Sequence, residues 1–193
     1  MKKLFGRICA ILLCAATLLS FSACESGGGE TDVPASLKAA ETVGEGKRVY
    51  FAGPLFSQSE KDFNEAIAAV LEEYGYEVFL PQRDGIEAAQ LEGKSEEELI
   101  RMIFDLDSSE VKKADILFMN LDGRVPDEGA AVELGIAFGS GKRCYGFKTD
   151  TRSIELGLDL NPMISGCMIK IFKNYDGEQL IREIREYLSE NEL

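Results

Sequence analysis

One glutamate stands where an ionised side chain is unexpected. Glu133 lies within residues 129–137 (GAAVELGIA), and its helical neighbours three and four residues away are all small or apolar. An ionised carboxylate without partners is costly to bury, so carboxylates in such places commonly have a shifted pKa or a function. The spacing alone leaves two interpretations open: a functional carboxylate, and an exposed glutamate on a helix whose apolar residues face elsewhere.

Other carboxylates lie near enough in the chain to join Glu133. Asp127 comes six residues earlier, directly after Pro126, and it is equally typical of a helix-start aspartate stabilised by the helix dipole. Further aspartates lie earlier in the chain, at Asp105, Asp107, Asp115 and Asp122. In so acidic a chain most of them must be solvated surface charges. The residues therefore predict a carboxylate site without assigning all of its members.

The composition excludes several classes of chemistry. The 193 residues include 34 acidic and 21 basic side chains, a formal net charge of −13, and no histidine. Lack of histidine excludes Ser-His-Asp triads, Cys-His dyads and histidine metal sites. The negative charge disfavours binding of nucleic acid, which depends on neutralising phosphates with Lys and Arg. We expect a small, neutral or weakly charged substrate, no cofactor and no metal ion, with carboxylates doing the chemistry.

Alternating strand and helix patterns must position these carboxylates. Apolar runs near residues 49–52, 78–80, 116–119, 144–147 and 168–172 predict strands, with helical patterns between them. We expect one α/β domain, Rossmann-like or flavodoxin-like, with a five-stranded, mostly parallel sheet and helices on both faces. A helix that starts at Ser95 is predicted to break near Asp105. Ligands of such sheets bind beyond the carboxyl ends of the strands, here at residues 53–56, 81–85 and 120–127.

The start of the chain has the pattern of a targeting segment. A basic start and an apolar run over residues 8–21 lead to the sequence FSAC at residues 21–24. This sequence resembles the lipobox of bacterial lipoproteins, which implies cleavage before Cys24 and a lipid on its thiol. We predict a signal at 1–23, a flexible linker at 24–46 and a domain at 47–193, anchored to the bacterial cell membrane outside the cytoplasm. An ordinary secretory signal, an uncleaved anchor and a cytoplasmic location are the alternatives.

Three segments resemble the nucleoside 2-deoxyribosyltransferase family. Residues 50–56 (YFAGPLF) are similar to its first strand and turn. Residues 127–135 (DEGAAVELG) are similar to its Asp-x-Gly-x-x-x-Glu-x-Gly-type signature, and residues 161–164 (NPMI) to its C-terminal substrate segment. The resemblance extends from Lys47 to the end of the chain.

The resemblance implies a role for each catalytic candidate. Glu133 is the nucleophile that attacks the anomeric carbon of the sugar, and Tyr50 orients it. Asp127 and Asp105 lie beside the base and the sugar, and one of them helps to protonate the departing base. Such a double displacement uses carboxylates alone, which agrees with a chain that lacks histidine.

The implied partners are nucleosides and free bases. We predict substrate contacts at Gly53, Pro54, Phe56, Gln82, Asp84, Asp122, Gly129, Asn161 and Met163. In the family, the residue that corresponds to Asn161 reaches the 5′-hydroxyl of the sugar from a neighbouring subunit. The resemblance therefore implies a homo-oligomer with shared active sites.

Two other functions stay open at this point. One is an N-glycosidase on the same scaffold, in which water accepts the sugar of a nucleoside or a nucleoside monophosphate. The bulky apolar turn at residues 53–56 favours an unphosphorylated nucleoside, whereas Ser57 and Ser59 keep a phosphate contact open. The other is a surface-tethered module that binds nucleosides without catalysis and would not need a carboxylate at Glu133.

Overall fold

The computed structural model describes residues 43–152 and 157–193. The predicted signal and residues 24–42 of the predicted linker lie outside the described residues. The strands are β1 (Arg48–Ala52), β2 (Glu77–Phe79), β3 (Ile116–Asn120), β4 (Arg143–Lys148) and β5 (Lys170–Lys173). The helices are α1 (Gln58–Glu73), α2 (Pro81–Asp84), α3 (Ala88–Leu91), α4 (Glu96–Lys113), α5 (Glu128–Gly139), α6 (Pro162–Cys167) and α7 (Gly177–Glu190).

The strands form one parallel sheet in the order β2-β1-β3-β4-β5. This arrangement confirms the predicted α/β domain, and the order is that of the flavodoxin-like branch of such folds. The chain first moves outward from β1 to β2 and then crosses to β3 on the other side of β1. The switch point between β1 and β3 leaves a crevice at their carboxyl ends, where ligands bind in sheets of this kind.

The two faces of the sheet are covered by different helices. Because side chains alternate along a strand, Val49 and Phe51 of β1 join the core under α1 and α7. Tyr50 and Ala52 point the other way, into the core under α4, α5 and α6. Every residue of β3 is buried, as its continuous apolar run predicts. The strand pleat therefore aims Tyr50 at the helices that carry the candidate carboxylates.

Helix α4 is continuous, so the predicted break near Asp105 is wrong. A capping box at Ser95 and Glu98 starts the helix. Its first turn is acidic and its last turn contains Lys112 and Lys113, which suits the helix dipole at both ends. No glycine or proline interrupts residues 96–113. This continuity sets the direction of every side chain that follows Asp105.

The polar stretch at residues 82–94, which the sequence predicts as a loop or lid, contains the short helices α2 and α3. Pro81 begins α2, where its missing N–H has no partner to lose. The carboxylate of Asp84 accepts a hydrogen bond from the backbone N–H of Leu80 at 2.8 Å. Within residues 43–152 and 157–193, no helix combines the length and the apolar character that a membrane span requires.

Candidate active site

The centre of the site is a pair formed by a strand and a helix. The hydroxyl of Tyr50, on β1, donates a hydrogen bond to Oε1 of Glu133, on α5, at 2.8 Å. Tyr50 is fully buried, and its ring stacks on that of Phe79 with centroids 5.6 Å apart. Glu133 is half-buried, so it is not the solvated surface residue of the alternative interpretation. A fixed donor thus holds one oxygen of a carboxylate that is still open on one side.

The surroundings of Glu133 change its acidity. Burial raises the pKa of Glu133 to about 7, helped by the charges of Asp107 and Asp127 and opposed by the hydrogen bond from Tyr50. Burial and then the charge of Glu133 raise the pKa of the Tyr50 hydroxyl far above its usual range. Tyr50 therefore stays a donor, and ionised Glu133 is more basic than an ordinary carboxylate, which favours nucleophilic attack.

Asp127 is the N-cap of α5 and also a neighbour of Glu133. Its Oδ1 accepts a hydrogen bond from the backbone N–H of Ala130 at 2.8 Å, as a helix-start aspartate should. At the same time its charge acts on Glu133. The two interpretations of Asp127 therefore describe the same geometry, because the N-terminus of α5 is beside the carboxylate site.

The second neighbouring carboxylate comes from α4 and is Asp107. Asp107 is half-buried, whereas Asp105 is exposed on the same helix. Burial and the charge of Glu110 raise the pKa of Asp107, while its contact with the Tyr50 hydroxyl lowers it. The structure brings Asp107 to the site and leaves Asp105 outside, and the catalytic role of Asp105 stays a prediction. The sequence feature that could have identified Asp107 as an inward-facing residue is its helical spacing to Val111 and Ala114, both of which are buried.

A buried amide network, which sequence reasoning missed, supports the turn after β1. Nδ2 of Asn64 donates to the carbonyl oxygen of Pro54 at 3.0 Å and lies 3.4 Å from Oε1 of Gln82. Oδ1 of Asn64 accepts from Nδ2 of Asn120 at 2.8 Å. A Cβ on Gly53 would lie 2.8 Å from the Cβ of Asn120, so glycine allows this close approach. The network ties the carboxyl ends of β1 and β3 to α1.

Two predicted substrate contacts make bonds within the protein. Asp122 accepts hydrogen bonds from the backbone N–H groups of Thr149 and Asp150 at 2.6 and 2.8 Å, and from the Thr149 hydroxyl at 2.5 Å. It thus ties the loop after β3 to the loop after β4. Asp84 accepts from the backbone N–H of Leu80, just before α2, and pairs with Arg83 at 3.1 Å. Both carboxylates have a structural task, and their role in binding stays a prediction.

The remaining predicted contacts fall into two groups. Pro54 is buried, and Gln82 is half-buried with its amide nitrogen bonded to the carbonyl oxygen of Lys61 at 2.8 Å. The others lie on the surface of the single chain, and they are Phe56 (83% exposed), Met163 (79% exposed), Asn161 and Gly129. Asn161 caps α6 by accepting from the N–H of Met163 at 2.9 Å.

The arrangement supports covalent chemistry at an electrophilic carbon. It offers a half-buried carboxylate, a tyrosine that holds one of its oxygens, and two further carboxyl groups beside it. A carboxyl group with a raised pKa can hold a proton for a leaving group. Among the residues that the structure describes, no cluster of three or more Cys, Asp or Glu side chains is arranged to hold a metal ion.

Comparison with known proteins identifies a family and several similar folds. The model of the nucleoside 2-deoxyribosyltransferase family matches residues 49–190, a span that includes Tyr50, Asp107, Asp127 and Glu133. No curated protein matches the chain. Sixty-nine chains of solved structures do match it.

Three solved structures illustrate the similarity. A 2-deoxyribosyltransferase from Bacillus psychrosaccharolyticus is 27% identical, with 72% of this chain and 91% of that chain covered and a TM-score of 0.57. A conserved protein from Enterococcus faecalis is 26% identical, with 72% and 98% covered and a TM-score of 0.55. A 2-deoxyribosyltransferase from Leishmania mexicana, 20% identical with 73% and 98% covered and a TM-score of 0.51, shares the fold.

Proposed function

Because the chain belongs to the nucleoside 2-deoxyribosyltransferase family, we propose that it transfers 2-deoxyribose between purine and pyrimidine bases. The proposal assigns a covalent glycosyl intermediate to Glu133. The observation that carries it is the 2.8 Å hydrogen bond from Tyr50 to a half-buried Glu133 whose pKa is raised to about 7. Such a carboxyl group ionises near neutral pH, and its ionised form is more basic than an exposed glutamate, as a nucleophile should be.

In the first half-reaction the N-glycosidic bond of the donor nucleoside breaks. Positive charge builds on the sugar ring, and ionised Glu133 stabilises it from the opposite face before one of its oxygens bonds to the anomeric carbon. Tyr50 holds Oε1, so Oε2 is the oxygen available for attack. The electron pair of the broken bond goes to the base, which takes a proton from a neighbouring acid.

Two carboxyl groups are placed to supply that proton. Asp127 lies at the start of α5, and its charge acts on Glu133. Asp107 has a raised pKa because it is buried and close to Glu110. A raised pKa suits a proton donor, and we assign that role to Asp107 in place of Asp105, which is exposed. Asp127 is then left to contact the base.

In the second half-reaction another base attacks the anomeric carbon from the face that the first base left. The bond between the sugar and Glu133 breaks, its electron pair returns to the carboxylate, and the incoming base gives up a proton to the acid. Two displacements at one carbon retain the configuration. Water in place of the second base would make the protein an N-glycosidase.

We further propose that the active site is completed by a second copy of the chain. Asn161 and Met163 are exposed in the single chain, although both belong to the segment that resembles the substrate segment of the family. Three large apolar side chains on α4, the helix that carries Asp107, are also exposed: Ile100, Ile103 and Phe104. Burying this apolar surface against another subunit would stabilise a dimer.

The lipid anchor at Cys24 is a separate proposal that rests on the sequence around residues 21–24. A lipid on this thiol would hold the domain at the outer face of the bacterial cell membrane. Cys24→Ala tests it in the native cell. The variant should move from the membrane fraction to the soluble fraction, and mass spectrometry of the native N-terminus should show the lipid only in the wild type.

The reaction itself is tested with purified residues 30–193, which include every residue that the structure describes. The protein is mixed with deoxyinosine and free adenine or cytosine, beside a Glu133→Ala control. A new deoxynucleoside that forms only with the wild type supports transfer and the role of Glu133. Release of hypoxanthine without a new nucleoside identifies water as the acceptor. A folded protein that turns over neither nucleosides nor monophosphates would contradict the proposal and favour a binding module.

A further inference from the structure

The reaction outlined above makes no use of a charged side chain in the first turn of α1. One oxygen of the Glu60 carboxylate, Oε2, accepts hydrogen bonds from the backbone N–H groups of Phe56 at 3.0 Å and Ser57 at 2.7 Å. The Ser57 hydroxyl in turn accepts from the backbone N–H of Glu60 at 3.2 Å, which completes a capping box. A single carboxylate oxygen therefore fills two of the backbone donors that precede the helix.

These donors lie in the turn that leads from β1 to α1. The turn starts at Gly53, three residues after Tyr50, so it begins about 10 Å along the strand from the tyrosine that holds Glu133. In sheets with this strand order, ligands bind where the first and third strands separate, and backbone N–H groups at a helix N-terminus hold phosphate groups. The turn thus has the position of a phosphate site, and the Glu60 carboxylate takes the place of the anion.

Two hydroxyl groups at the same turn would also suit a phosphate. Oγ of Ser57 and Oγ of Ser59 are 3.1 Å apart, and both residues are exposed. The turn itself is held in place, because Nδ2 of Asn64 donates to the carbonyl oxygen of Pro54 at 3.0 Å. The donors that a phosphate needs are therefore present, and the group that opposes a phosphate here is the Glu60 carboxylate.

A second capping box, at the start of α4, shows how Glu60 differs from an ordinary capping residue. There Glu98 accepts from the backbone N–H and from the hydroxyl of Ser95, both at 2.8 Å, and it is exposed. Glu60 is half-buried and also bonds the N–H of Phe56, ahead of the N-cap. The backbone N–H of Ser57, more than any other group, lowers the pKa of Glu60, so the negative charge is present at neutral pH.

We propose that Glu60 is a specificity-determining residue, which excludes nucleosides with a 5′-phosphate by filling the N–H groups of Phe56 and Ser57 and by repelling the phosphate. A phosphate at this turn would have to displace the carboxylate or lie beside its charge. Building an unpaired like charge against one partner is an effective way to reject it. This role rests on the proposed function and narrows its substrates to unphosphorylated nucleosides.

The test compares deoxyinosine with its 5′-monophosphate as sugar donors to free adenine, in the purified full-length chain. The measured quantity is the ratio of kcat/KM for the monophosphate to kcat/KM for the nucleoside, in which a general loss of activity cancels. Glu60→Gln keeps the capping box, because glutamine also suits this position, but it removes the charge. It should raise the ratio about 10-fold or more. Glu60→Ala also frees the two N–H groups and should raise the ratio further.

Glu98→Gln is the matched control, because it makes the same substitution in the capping box of α4. It should leave the ratio in place, which separates the charge of Glu60 from a mere loss of capping. Salt gives an independent readout of repulsion. Because salt screens exposed charges, it should raise the ratio in the wild type and have a smaller effect in Glu60→Gln.

A binding measurement separates this role from the reaction. In a Glu133→Ala background, calorimetry gives the Kd of deoxyinosine and of its monophosphate with and without Glu60→Gln. The monophosphate should bind more weakly than the nucleoside, and Glu60→Gln should reduce that difference. If the difference behaves in this way but the wild type transfers no sugar, only the proposed function fails. Equal use of both compounds by the wild type, a ratio that neither Glu60 variant changes, or binding of neither compound would overturn the role of Glu60.

Discussion

Nδ2 of Asn120 donates a hydrogen bond to Oδ1 of Asn64 at 2.8 Å, and both side chains are almost completely buried. Asn120 is the last residue of β3, and Asn64 lies in the second turn of α1. The second amide hydrogen bond of Asn64, to the carbonyl oxygen of Pro54 at 3.0 Å, completes the connection. Two amides thus hold together the strand ends on either side of the crevice.

Asn64→Leu should destabilise the domain by about 2–3 kcal/mol, because Nδ2 of Asn120 and the carbonyl oxygen of Pro54 each lose a hydrogen bond to Asn64 while buried. Urea unfolding at constant pH measures the change. Asn191→Leu is the control, because Asn191 is exposed and bonds only within the last turn of α7. Equal stability of the Asn64 variant and the wild type would show that the amide network does not hold the crevice together.

Gly53→Ala should lower the free energy of unfolding by about 1–3 kcal/mol, because the new Cβ would lie too close to Asn120. Gly135→Ala offers a matched control on α5, where a Cβ meets nothing within 4 Å. This control should gain about 0.5–1 kcal/mol, since alanine favours a helix interior. Chemical denaturation compares the two. A Gly53 variant as stable as the Gly135 variant would contradict the close approach.

Tyr50→Phe should move the acidic limb of kcat/KM to higher pH. The hydrogen bond from Tyr50 lowers the pKa of Glu133, so its loss lets the pKa rise above about 7 and less of the nucleophile is ionised. Loss of a bond to a charged group should also reduce kcat/KM about 10-fold or more at neutral pH. The phenylalanine keeps the stack on Phe79. An acidic limb that stays in place would show that Tyr50 does not tune Glu133.

Glu133→Gln should reduce the rate of transfer about 10³-fold or more. It should also stabilise the protein in alkaline solution. The folded pKa of Glu133 is raised from 4.5 to about 7. Below about pH 4.5 the carboxyl group carries a proton in both the folded and the unfolded protein, and the wild type keeps its full stability. As pH rises through about 7, the carboxyl group ionises more readily in the unfolded protein, so the folded wild type loses stability. Above pH 7 the variant should therefore be more stable than the wild type by about 1–3 kcal/mol.

Urea unfolding at pH 5 and pH 8 measures this effect, with the difference between variant and wild type expected at pH 8. Loss of transfer without a change in the pH dependence of stability would mean that Glu133 is not buried enough to be perturbed. The glutamine keeps an oxygen that can accept from Tyr50, so the fold should be retained.

Asp107→Asn should reduce kcat by about 100-fold or more, because an amide cannot protonate the leaving base. Asp105→Asn, two residues away on the same helix, should keep activity close to that of the wild type, because Asp105 is exposed. Initial rates with deoxyinosine and adenine compare them. A larger loss in the Asp105 variant would reverse the assignment of the acid.

The half-buried position of Glu133 could be predicted from the sequence, but its neighbours only in part. Glu133 is conspicuous because all its helical neighbours are small or apolar. Asp107 is one of many carboxylates on an acidic helix. In a continuous helix, periodicity places Asp107 on the inner side and Asp105 on the outer side. The expected break near Asp105 hid this difference. Asn64 and Asn120 are single amides without any pattern around them. Their importance follows only from burial and from the pairing of distant segments.

The predictability of the fold has a similar limit. Alternating apolar runs identified the strands and the parallel sheet, because each run has the length and burial of its element. No local sequence pattern indicates the order of the strands in the sheet. It decides that β1 and β3 are neighbours, and so that the turn at Gly53 faces Asn120.

In a parallel sheet, the amino ends of all strands lie at one edge and the carboxyl ends at the opposite edge. The chain enters β1 at Arg48, at the amino edge of the sheet, whereas Gly53 and Asn120 lie at the carboxyl edge. A ligand of the crevice would therefore approach from the side opposite to the start of β1.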